Sequence, residues 1–111
     1  MTDKEYLDIM TEITDFGQYI RGRNNNTLAF KCEVMRGIAD ASITVSKFYD
    51  RSDMPLTKEE AAALVEALYH LSEGVGKGRA AVCSMTADMI LNMDTYQKKK
   101  WQKKTLVDIE K

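Results

Sequence analysis

The stretch TDKEYLDIMTEITDFGQYI, residues 2–20, decides the fold class. Thr2-Asp3-Lys4-Glu5 has the form of a capping box, in which a hydroxyl accepts from the third amide of a helix and a glutamate reaches back to the cap. Behind it, Tyr6, Ile9, Ile13, Phe16 and Ile20 recur at spacings of 3, 4, 3 and 4, which gathers large apolar groups on one narrow stripe. Gly22 and Asn24-Asn25-Asn26 follow, residue types that tolerate the left-handed turn after a helix. A helix is therefore predicted over 3–21.

The same signals recur along the chain. Phe30, Val34, Ile38, Ala41, Val45 and Phe48 make the main stripe of a second helix over 27–50, widened by Leu28, Cys32, Met35, Ala39 and Tyr49. Glu33, Arg36, Asp40, Lys47 and Asp50 gather on its opposite side, with Arg36 and Asp40 four residues apart and so able to pair. Within it Ser42-Ile43-Thr44-Val45-Ser46 is β-branched and serine-rich, which lowers helix propensity, but the stripe runs through it unbroken. Ser52 to Leu56, with Pro55, reads as a turn, and Thr57-Lys58-Glu59-Glu60 repeats the capping box, with Leu56 and Ala61 placed to staple the entry. Ala61, Leu64, Val65, Leu68 and Leu71 then form the stripe of a helix over 58–73. Gly74-Val75-Gly76-Lys77-Gly78-Arg79 is the connection to a helix over 79–93 that is apolar on nearly every side. Asp94-Thr95-Tyr96-Gln97 resembles a further cap, so a last helix over 95–109 either follows a bend or continues the fourth. The expectation is an all-α, single-domain protein over residues 1–111: a four- or five-helix bundle, mostly antiparallel.

Composition agrees with this. Six glycines and one proline in 111 residues leave few helix breakers, and 44% hydrophobic with 30% charged residues is the balance of an ordinary globular domain. Met1-Thr2-Asp3-Lys4-Glu5 lacks the basic start and apolar stretch of a signal peptide. The longest charge-free run, Ala80 to Ala87, falls far short of the roughly 20 residues of a membrane span. Cys32 and Cys83 show no CxxC spacing and lie among apolar residues, which reads as free thiols in the cytoplasm. The net charge of −1 hides an asymmetry: residues 1–97 carry 10 basic and 15 acidic side chains, whereas residues 98–111 carry 6 and 2.

Three constellations can carry function. The glycine-rich connection sets Lys77 and Arg79 beside unhindered amides at a helix start, where the exposed N–H groups and the macrodipole favour an anion, and Arg21 and Arg23 can join them as a phosphate site. It lacks the GxxxxGK[ST] spacing of a P-loop and any preceding strand. Lys98, Lys99, Lys100, Lys103 and Lys104 around Trp101 can grip a nucleic-acid backbone or a protein partner. They can equally offset the acidic row Glu5, Asp8, Glu12 and Asp15, whose like charges repel at helical spacing. Mimicry of a phosphate backbone by that row is disfavoured by the small net charge. Met85, Met89 and Met93 repeat every four residues, and the fourth helix has more apolar perimeter than one partner helix covers, which favours an oligomer interface.

Catalytic signals are thin. His70, with Glu66 and Glu73 on its face, lacks a second histidine or an ExxH pair and makes no metal site. No nucleophile elbow or acid–base set stands out, and no cofactor is implied. The small size and the lack of any motif resemble the profile of accessory and inhibitor proteins of phages and mobile elements. The sequence thus points to a non-catalytic interaction protein, homo-oligomeric as a dimer or higher, that binds and regulates or inhibits another protein. The alternative is a binder of a nucleotide or nucleic acid through the Gly74–Arg79 loop or the Lys98–Lys104 cluster.

Overall fold

The computed structural model describes residues 1–49 and 53–92, which form four helices: α1 (Asp3–Arg21), α2 (Leu28–Lys47), α3 (Lys58–Ser72) and α4 (Lys77–Leu91). Each of the first three starts where a threonine can cap it. Thr2 Oγ1 accepts from the Glu5 amide at 3.0 Å while Glu5 returns to the Thr2 amide at 2.8 Å, and Thr57 and Glu60 repeat the exchange. Thr27 caps α2 through the Phe30 amide. The all-α bundle read from the sequence is the fold observed.

Several boundaries move for local reasons. Gly22 closes α1 in a right-handed conformation with φ −78°, not the left-handed one expected, because its amide still reaches the Gln18 and Ile20 carbonyls. α2 stops at Lys47 rather than 50, its last carbonyls capped by the Phe48 amide. α4 starts at Lys77, two residues before the expected 79. The β-branched stretch 42–46 is helical, and its hydroxyls turn back along the helix: Thr44 donates to the Asp40 carbonyl at 2.9 Å and Ser46 to that of Ser42 at 2.7 Å. The expected helix over 95–109, with Met93 and the Lys98–Lys104 cluster, lies outside the described residues, as does Asp50.

The helices alternate in direction. Tyr6 of α1 pairs with Ser46 of α2 through their hydroxyls (3.2 Å), and Lys31 of α2 donates to the Arg21 carbonyl, so α1 and α2 run oppositely. The Leu56 amide, just ahead of α3, lies 3.4 Å from the Glu5 carboxylate, which sets the start of α3 beside the start of α1. That contact also gives Glu5, one of the acidic row on α1, a structural task.

The tightest approach is between α2 and α4, which run the same way. A Cβ added at Gly37 would lie 3.0 Å from both Cα and the carbonyl oxygen of Arg79 and 3.0 Å from Val82 Cβ; one at Gly78 would lie 3.0 Å from the Phe30 carbonyl. Glycine at both positions lets two helix backbones touch. α1 and α3 flank this pair, and one continuous core joins Ile9, Ile13, Phe16 and Ile20 of α1 to Val34, Leu64, Leu68, Val82 and Ile90.

That position explains why α4 is apolar all round. Most of its perimeter is covered within the chain, Leu91 at 57% exposure being the apolar exception, and Met85 and Met89 are buried at 5% and 6% exposure, so they fill the core. Met85 and Met89, read in the sequence as part of an oligomer face, are thus core side chains of the single chain. Gly37→Val, which forces a branched side chain against the Arg79 backbone, is expected to lower stability by about 2 kcal/mol or more in urea unfolding.

Candidate functional site

The glycine-rich connection proves to have two separate uses. Gly74 adopts φ +69° with open space around it, the left-handed conformation that ends α3. Gly76 and Gly78 instead make room for Glu33 of α2. The Glu33 carboxylate accepts from the Gly78 amide at 3.1 Å, and a Cβ on Gly76 would collide with it. Gly76 offers no side-chain cap to α4, so a carboxylate from another helix takes that role. The anion anticipated at this helix start is the chain's own.

Two of the four cations expected there have partners of their own. Arg79 Nε lies 2.5 Å from Asp40 Oδ2, with both side chains largely covered. Asp40 therefore pairs across to α4 rather than along its own helix with Arg36, because Asp40 leans towards α4 whereas Arg36 faces out. Arg23 donates to the Tyr19 hydroxyl at 2.9 Å and lies over its ring at 5.6 Å. Arg21 closes α1, and its carbonyl accepts from Lys31 at the start of α2, while Lys77 is exposed as the first residue of α4. Met93 and the basic cluster Lys98, Lys99, Lys100, Trp101, Lys103 and Lys104 lie outside the described residues.

What the structure does expose is the outer face of α2. Leu28 is 77% exposed, Met35 45% and Ile43 58%, and Cys32 and Ala39 are exposed between them. Leu28, Cys32, Met35 and Ala39, read in the sequence as widening the core stripe, join Ile43 in a second apolar stripe facing away from the core. The sequence pattern contained it: apolar residues at 28, 32, 35, 39 and 43 have helical spacing of their own, but a broad apolar arc and two opposed faces look alike until the packing is known. At the N-terminal end of the stripe a groove of about 440 Å³ is lined by Arg21, Leu28, Lys31, Cys32, Met35 and Arg36. Its floor is apolar and its rim is cationic.

Other chemistry is sparse among the described residues. His70 lies 3.6 Å from Glu66 and 3.7 Å from Glu73, all three well exposed, and no cluster of His, Cys, Asp and Glu is able to hold a metal ion. Both cysteines are free thiols. Burial pushes Cys83 up from 9.0 to about 11, with the Asp40 charge adding to the rise and Arg79 opposing it, so it is a protonated core side chain at neutral pH rather than a nucleophile. Tyr69 is likewise raised, by burial first and then by Asp88, to whose carboxylate its hydroxyl donates. No helix among the described residues is long and apolar enough to cross a membrane. No family model, curated protein or solved structure matches the chain.

Four outcomes follow from this geometry. Glu33→Ala, which strips the N-terminus of α4 of its counter-charge, should cost about 1 kcal/mol in urea unfolding. In the native protein a thiol reagent should label Cys32 alone, with Cys83 reacting after unfolding. Because the unfolded chain ionises Cys83 near 9.0 while the fold keeps it protonated to about 11, stability should fall as pH rises through that window. Cys83→Ala should remove that part of the slope.

Proposed function

We propose that the protein is a non-catalytic helical interaction module that binds another protein through the outer face of α2 and regulates or inhibits it by occupancy. One observation carries this reading: α2 spends one apolar face on the core and presents a second, from Leu28 to Ile43, to solvent. Exposing a row of apolar side chains along one helix face is unfavourable unless something covers it, and such rows mark sites of association. The sparse chemistry among the described residues is compatible with the accessory and inhibitor profile read from the sequence.

The phosphorylated-ligand alternative has less behind it. Its loop half requires a vacant α4 N-terminus, where Glu33 sits, and a free Arg79, which Asp40 holds. Its other half rests on residues outside those described.

Affinity capture with the full chain tests the proposal. The wild type is expected to retain a partner protein from a native lysate in near-stoichiometric amount. A Met35→Glu, Ile43→Glu variant should retain roughly tenfold less of it. Both sites are exposed, so the variant's melting temperature should stay within the small shift typical of surface changes, about 0.5 kcal/mol in stability. Equal recovery by the two proteins rules out this face.

A further inference from the structure

We infer that the partner presents an acidic amphipathic α-helix, which lies along α2 as the second strand of a two-helix seam. This rests on the reading of the α2 outer face as the docking surface and specifies what docks there.

Leu28, Cys32, Met35 and Ala39 are spaced by 4, 3 and 4 residues, the alternation that keeps one helix facing another over successive turns. The stripe alternates large and small: Cys32 and Ala39 leave hollows between Leu28, Met35 and Ile43, as a surface must to receive side chains from a facing helix. A surface for lipid would instead carry bulky aromatic or leucine side chains along its length. The stripe has none of the former and one of the latter.

Charge then selects the partner. Lys31 and Arg36 stand on either flank of the seam, the positions from which charged residues govern pairing between helices. Arg21 adds a third cation to the same groove, and no carboxylate lines it. Both carboxylates of α2 are engaged elsewhere, Glu33 on the Gly78 amide and Asp40 on Arg79. Among the described residues no carboxylate pairs with Arg36. Two copies of α2 laid together would set these cations against each other, so self-pairing is disfavoured. Glutamate or aspartate on the flanks of a foreign helix would satisfy them.

Two synthetic peptides of about four heptads, sharing one leucine seam and differing in flanks of glutamate or of lysine, provide the test. Titrated against the full chain at low salt, the glutamate peptide is expected to bind at least about tenfold tighter than the lysine peptide. Met35→Glu should abolish that binding. Arg36→Glu should narrow the preference, and Lys31→Glu with Arg36→Glu should reverse it. Arg36→Glu leaves the Lys31 contact to the Arg21 carbonyl intact, so the charge effect is readable even if the double variant unfolds. The inference is overturned if neither peptide binds or if both bind alike. It also falls if Met35 is needed instead for dimerisation in light scattering, or for binding to vesicles of phosphatidylglycerol that outcompete the glutamate peptide. Lysate capture that still depends on Met35 and Ile43, combined with no charge preference, would retire this inference and leave the proposed function standing.

Discussion

The structure depends on the backbone contact between α2 and α4 at Gly37 and Gly78. With the Arg79 Cα 3.0 Å from where a Cβ on Gly37 would be, the two helices meet main chain to main chain. That proximity draws α4 into the middle of the bundle, where an apolar perimeter is required. It also lets α1 and α3 flank the pair and share one core with it. Core packing at this density responds to single methyl groups, so a Cβ at either glycine would push the two helices apart.

The same contact sorts the charges of α2. Glu33 and Asp40 both lean on the first turn of α4, one as a counter-charge to exposed amides and the other as an ion-pair partner. A carboxylate at a helix start is favoured by the dipole, and a half-covered ion pair is less screened than one fully in water. With both acids held on the α4 side, Lys31 and Arg36 border the outer face without them. An apolar stripe with a cationic border is therefore a consequence of how the core is built, and it needs no residue set aside for that purpose alone.

Legibility in the sequence followed the range of each interaction. The capping boxes at Thr2 and Thr57 involve residues three apart, so their pattern is written directly in the chain. The core stripe of α1 was legible for the same reason. Arg36 and Asp40 show where local reasoning stops: their spacing allows a pair, yet Asp40 meets Arg79, 39 residues away, because a partly covered cation on a facing helix competes better than an exposed one on the same helix. Glu33 had no local signature at all, since its partner lies 45 residues on.

By itself, then, the amino-acid sequence determined the four described helices, the starts of α1 and α3 and the apolar perimeter of α4, because periodicity and caps act within a few residues. Only the tertiary structure decided who covers that perimeter, and which of the two apolar arcs of α2 turns inward. Hydrophobic burial is non-directional: a pattern records how much surface must leave water, while the close approach permitted by two glycines chooses the partner that removes it.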